Sequence, residues 1–408
     1  VPVTVRATTP ADLDVFVTTL HAAFARFPEQ PDEDGSGVFW SVLEMDRNLL
    51  AVTEDGRPVG TTAGYSFELT LPGGARIPTT GVTNVGVVPS HRRRGIATAL
   101  MRRQLTDVRA RGEHVAVLLA MEATIYRRFG YGPATFSRRM SVSRARAAFD
   151  DRPLGASSQE DGGGSVEVLR REECVSSLEE VYEQYRLDRP GALDRPHRWW
   201  VRGAGHPPVS REPRWIGLHR NGEGRPDGYV SYRLDDGVLH IDETITTDDA
   251  VREALDRFVI GHDLVREVVF QDAPTDHPLR WQLLDYDAVA SSGDEAWLWV
   301  RILDVAGALE ARSWAGSGEL VLQVEDAFLS ESSRYLLTVD GGRAECTATP
   351  REPDLTLDVS DLASLYLGGV PPRDLVRAGR VRARGEAAVE QAEALFATER
   401  APWSHHIF

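Results

Sequence analysis

Val85-Gly86-Val87-Val88-Pro89-Ser90-His91-Arg92-Arg93-Arg94-Gly95-Ile96-Ala97 joins an apolar strand to a helix start marked by arginine and glycine. Orphan amides and the positive end of the dipole make a helix N-terminus a seat for an anion, and a glycine there leaves the approach clear. Arg92, Arg93 and Arg94 add charge and forked donors. With a strand before it and a glycine at the turn, the segment reads as a pyrophosphate grip rather than a solvated basic run. Working outward, residues 48–53, 60–69 and 77–88 read as strands, with Gly73-Gly74 turning between the last two. The helix from Gly95 carries Ala97, Met101, Leu105 and Val108 on one face and ends at Arg111-Gly112, ahead of a short buried strand at 115–119. A helix between strands that then lie parallel is an α/β unit whose ligand sits where the strands diverge. Upstream, residues 3–6 read as a strand, and Pro10-Ala11-Asp12 opens a helix with Leu13, Phe16, Val17, Leu20 and Phe24 on its apolar face.

Arg92-Arg93-Arg94-Gly95-Ile96-Ala97 resembles the acetyl-CoA signature of the GNAT acetyltransferases, written around R/Q-x-x-G-x-G/A, and fits it at every fixed position. Downstream, Met121-Glu122-Ala123-Thr124-Ile125-Tyr126-Arg127-Arg128-Phe129-Gly130-Tyr131-Gly132 is similar to the Y-x-R-F-G-Y-G segment of the Eis-like acetyltransferases of actinobacteria. Ser364-Leu365-Tyr366-Leu367-Gly368-Gly369 is a third match, and the similarity spans essentially the whole chain. The resemblance implies tandem GNAT domains, the first active and the second degenerate, followed by a sterol-carrier-like α+β domain. It also implies acetyl-CoA as co-substrate, a homohexamer, and acetyl transfer to primary amines, those of aminoglycosides leading.

A chain of 408 residues is too long for one ordinary core, and two or three domains are expected. Residues 1–150 form the first, 151–165 a linker rich in Gly, Ser and Pro, 166–294 the second and 295–408 the third. The second repeats the α/β order of the first, with a helix at 248–263, but has no R-x-x-G-x-A equivalent before that helix. In the third, Trp297-Leu298-Trp299-Val300-Arg301-Ile302 opens a run of strands, Asp340-Gly341-Gly342 is a hairpin turn, Ser360-Asp361 caps a short helix, and a final amphipathic helix uses Val389, Ala392, Leu395 and Phe396. Scaffolding is the plainer role for this domain, since fold does not imply function.

Composition narrows the chemistry. Hydrophobic residues at 42% and charged ones at 26% belong to a soluble globular protein. Net charge is −16, and with no lysine present all 46 basic residues are arginine. That acidity argues against nucleic acid as a partner and suits cationic substrates. Cys174 and Cys346 make neither a disulfide framework nor a metal pattern, and no run has signal-peptide or transmembrane character. A cytoplasmic enzyme without a metal or a membrane is expected.

Acetyl transfer from a thioester to an amine needs a seat for coenzyme A, a polarised carbonyl, a base and an acid. Val85, Gly86 and Val87 offer backbone groups to the pantetheine amides, and Arg92 to Thr98, with Met121 and Glu122, complete the cofactor set. Tyr126 is the candidate acid. A phenol of reference pKa about 10 can protonate a thiolate of about 8.5 where the site shifts both. For the base, the resemblance implies the chain's own terminal carboxylate, on Phe408. Pro402-Trp403-Ser404-His405-His406-Ile407-Phe408 ends on apolar residues that a free tail would not favour, and Glu122, His406 and His21 compete for the role. His405-His406 lacks a third ligand.

The resemblance places Phe24, Phe27, Trp40 and Asn84 along the acceptor pocket. It also marks a departure: Arg26 stands where aminoglycoside-modifying relatives carry an acidic residue, and a cation there repels a polyamine unless Asp32-Glu33-Asp34 compensates. Lysine side chains and small polyamines are the alternative acceptors. A non-catalytic acyl- or lipid-binding protein built on the third domain is the rival reading.

Overall fold

The computed structural model describes residues 3–26, 40, 42–150, 164–202 and 213–408. Phe27, the Asp32-Glu33-Asp34 run and nearly all of the expected linker lie outside the described residues. β1 (Val3–Ala7), β2 (Leu49–Thr53), β3 (Pro58–Thr70), β4 (Arg76–Val87), β5 (Val115–Leu119) and β6 (Gly132–Pro133) come from the N-terminal segment. β7 (Phe136–Ser143), β8 (Ser165–Arg170), β9 (Trp215–Arg220), β10 (Pro226–Asp235), β11 (Val238–Thr246), β12 (Glu267–Pro274) and β13 (Val289–Ala296) form one sheet, in the order β13-β7-β12-β11-β10-β9-β8. β14 (Leu298–Ile302) joins the N-terminal strands between β5 and β6, giving the order β1-β2-β3-β4-β5-β14-β6. β15 (Gly318–Asp326), β16 (Glu331–Asp340), β17 (Arg343–Ala348), β18 (Leu355–Asp358) and β19 (Arg382–Ala383) make a third sheet, in the order β17-β16-β15-β18-β19.

The first two sheets share a plan. Each is antiparallel except for one parallel pair, β4 with β5 and β11 with β12. Each parallel pair is bridged in sequence by a helix, Ile96–Ala110 or Asp249–Ile260. The repeat expected from sequence is therefore present, but its final strands are exchanged. β7, which follows β6, lies beside β12, and β14, which follows β13, lies beside β5. The compact units follow this exchange: Val1–Thr135 with Trp297–Glu399 and Phe408 in one, Phe136–Ala296 with Arg400–Ile407 in the other. Boundaries near 150 and 295 thus cut across sheet membership, and the strand opening at Trp297 serves the first sheet rather than the third.

Strand β2 shows why the first sheet is covered on both faces. Leu49 and Ala51 pack with Ile96 and Leu100 of one helix, whereas Leu50 packs with Phe16 and Leu20 of helix Leu13–Ala23. Alternate residues on one strand point to opposite faces, so each helix takes one set. Asp358, rather than Ser360, caps the helix Val359–Tyr366, its carboxylate accepting the Ser360 amide at 2.9 Å.

Candidate active site

Strand β4 carries Asn84, Val85, Gly86 and Val87. Its ladder with β3 slips between Ala63–Thr83 and Thr61–Gly86, a bulge in which Asn84 takes φ +52° and its carbonyl accepts the Thr61 hydroxyl at 2.8 Å. The Asn84 amide nitrogen is buried with no hydrogen-bond partner among the described residues. Gly86 allows a close approach: a Cβ there would lie 2.8 Å from that of Ala23. The helix Leu13–Ala23 therefore seats against β4, with the half-exposed Phe24 at its end. On the other edge, β4 pairs with β5 from Thr79–Val115 to Gly81–Val117. Beyond that register the parallel strands part, and the backbone from Val82 to Val87 can accept another extended chain.

Gly95 is the N-cap of Ile96–Ala110 at φ +79°, and a Cβ there would meet nothing within 4 Å. The glycine thus answers two needs, a left-handed backbone and an open helix start. The arginines divide. Arg92 donates to the carbonyls of Ala23 at 2.7 Å and Val87 at 3.2 Å, bracing the loop against the first helix, while Arg93, at φ +60°, and Arg94 are exposed. Ile96 is buried, and Ala97 and Thr98 lie half-buried on the first turn.

Met121 and Glu122 follow β5 in exposed positions, and Tyr126 ends the short helix Ala123–Tyr126. Burial, and secondarily the Glu122 carboxylate, pushes the Tyr126 phenol above its ordinary value, so it keeps its proton at neutral pH. Its ring meets Tyr131 edge-on at 6.1 Å. The glycines of this motif serve packing. A Cβ on Gly130 would lie 2.7 Å from the Arg301 guanidinium carbon, and one on Gly132 would lie 1.9 Å from the Ser360 carbonyl. Arg127 pairs with Asp361 at 3.0 Å, and Phe129 meets Phe328 edge-on at 5.1 Å. The sterol-carrier-like segment is thus the bed on which the tyrosine motif rests.

Phe408 groups with the first unit. The Thr83 hydroxyl donates to the Phe408 main-chain oxygen at 3.3 Å, and the ring packs at 5.1 Å on Phe67. Gly81, where the β4–β5 ladder ends, makes room for both rings: a Cβ there would lie 2.5 Å from Phe67 and 2.9 Å from Phe408. Thr83, Phe67 and Gly81 were not singled out in the sequence; the available signal was a glycine inside a strand, which marks a close approach. Of the rival bases, His21 meets Trp40 edge-on at 5.5 Å and is lowered by burial and by the Arg26 charge. His406 belongs to the second unit, 1% exposed and edge-on to Trp199. Among the described residues, no three His, Cys, Asp or Glu side chains are placed to hold a metal ion.

Residues 4–134 and 191–302 each match a model described as an acetyltransferase (GNAT) domain, and residues 305–405 match a sterol carrier protein domain. N-acetyltransferase Eis of Mycobacterium tuberculosis is 33% identical over 89% of this chain and 90% of its own. The chain belongs to the Eis-like GNAT N-acetyltransferases. An uncharacterized N-acetyltransferase of Streptomyces avermitilis is 34% identical over 99% of this chain and 98% of its own. Eis1 from Mycobacterium abscessus superposes over 100% of both chains at a TM-score of 0.85 and 32% identity. This Eis-like chain is accordingly an N-acetyltransferase with two GNAT domains and a sterol-carrier-like C-terminal domain. No helix among the described residues is long and apolar enough to cross a membrane.

Proposed function

We propose that the protein transfers the acetyl group of acetyl-CoA to a primary amine, with Tyr126 as the acid and the terminal carboxylate of Phe408 as the base. The observation that carries the reading is the seat of Phe408 on Thr83, Phe67 and Gly81, where the parallel strands part. The donor suits this cleft. Val85 and Val87 offer main-chain groups, and the Gly95 helix start receives the pyrophosphate with Arg93 and Arg94. Acetyl-CoA supplies the activated acyl group.

The chain's own groups then manage the protons. As the amine nitrogen bonds to the thioester carbon it becomes acidic, and the Phe408 carboxylate takes its proton. When the C–S bond breaks, Tyr126 gives its phenolic proton to the departing thiolate. Solvent returns the proton from carboxylate to phenolate between turnovers.

Phe24, Trp40 and Asn84 line the acceptor side in this reading. Arg26, exposed and close enough to depress His21, favours acceptors of lower positive charge than an aminoglycoside. Thiol release from acetyl-CoA with a panel of an aminoglycoside, a polyamine and a lysine peptide decides among them. Turnover with the lysine peptide above that with either polycation is expected. Acetyl-CoA binding without turnover on any amine overturns the proposal and leaves the acyl-binding alternative. A homohexamer belongs to the same reading, tested by solution mass from light scattering.

A further inference from the structure

The parallel pair of the second unit is built like that of the first, and the chain's own tail fills its splay. β11 pairs with β12 from Val238–Glu267 to Ile241–Phe270, and beyond that register the two strands part. A cavity there is walled by Asp242 and Thr244 from β11, Ala273 and Pro274 from β12, and Trp403 from the tail. Trp403 is 2% exposed, sits in one apolar cluster with Ile216, Tyr229 and Ile245, and meets Tyr185 edge-on at 6.3 Å. Its amide donates to the Pro190 carbonyl at 2.9 Å.

The helix start has been converted as well. Asp248 caps the helix Asp249–Ile260 by accepting the Val251 amide at 2.9 Å. Asp249 beside it holds Arg400 through two bonds of 3.0 Å. The Ala401 amide donates to Asp276 at 2.9 Å, and the His406 ring meets Trp199 edge-on at 4.7 Å. Where the first unit has arginines and an open glycine, the second has carboxylates, which repel a pyrophosphate and pair with an arginine.

We propose that the second GNAT-like unit is a clamp for the chain's own C-terminus. Its splayed strands and acidic helix start, the counterpart of a coenzyme A cleft, take residues 400–407 in place of a cofactor. Arg400, Trp403 and Asp249 hold the tail there.

The test uses the full-length protein. Arg400→Ala and Asp249→Ala alter side chains 39% and 68% exposed, so both variants fold. Each is expected to speed hydrogen exchange at the Ala401 and Trp403 amides roughly three- to fivefold, the scale of one exposed ion pair, with the double variant no faster than either single one. Trp403→Ala should speed the same exchange further, and Trp403→Phe should recover most of that change, with acetyl-CoA affinity unaltered throughout. Unchanged tail exchange in both ion-pair variants overturns the clamp.

Discussion

At Gly95 two demands meet on one residue, a left-handed φ of +79° and an open space in front of the helix amides. Gly95→Asp strains the backbone and puts a carboxylate where the pyrophosphate approaches, so acetyl-CoA affinity by calorimetry should fall at least tenfold while the fold survives. Unchanged affinity would remove the anchor of the cofactor assignment. Tyr126 tests a different property. Tyr126→Phe keeps the ring edge-on to Tyr131 but deletes the proton that burial holds on the phenol. Turnover should drop by roughly two to four orders of magnitude with melting temperature nearly unchanged. Wild-type turnover in that variant would make Tyr126 a packing residue. Both residues were legible because a motif fixed their local chemistry. The bracing of Arg92 on two backbone carbonyls was not legible, because a run of three arginines does not say which one will find them.

Elements carry the next layer, and the C-terminal tail is the sharpest case. If the base is an α-carboxylate, its position is set by chain length rather than by a side chain. A C-terminal extension replaces the Phe408 carboxylate with an amide, and turnover should be abolished or strongly reduced while acetyl-CoA binding persists. Deleting Phe408 shortens the tail by up to ~3.5 Å and removes the ring that packs on Phe67, so a comparable loss is expected. Full activity in a tagged enzyme would return the search to Glu122 and His21. The apolar ending of the tail was readable as a sign of docking, but its partners were not. Thr83 and Phe67 are ordinary strand residues whose role depends on a contact more than 300 positions away in sequence. The exchange of β7 and β14 was unreadable for a related reason. Each carries strand-forming residues, and backbone ladders bear no label for the sheet they will join.

Over the whole molecule, the distribution of buried charge sets how stability responds to pH. In the second unit, Asp256 and His277 face each other at 3.7 Å, both buried, beside Arg252. Burial, opposed by Arg252, pushes the Asp256 carboxyl up to about 7, and burial holds His277 well below its ordinary value. Between about pH 4 and about pH 6.5 the unfolded pair carries one proton, on the imidazole, and the folded pair also carries one, on the carboxyl. Proton counts match, so the pair adds little slope to stability in that window. Breaking it exposes the two halves with opposite signs. Asp256→Asn leaves a buried neutral imidazole whose unfolded form binds a proton, so melting temperature should decline as pH falls from 6.5 to 4.5. His277→Gln leaves a carboxyl that keeps its proton only when folded, a stabilisation present below about pH 4 and lost as pH rises to about 7, so its melting temperature should rise over the same acid shift. The double variant should again be flat. Thermal scans across that range check the argument directly, and equal slopes in the two single variants would show that the fold does not shift Asp256 and His277 in opposite directions.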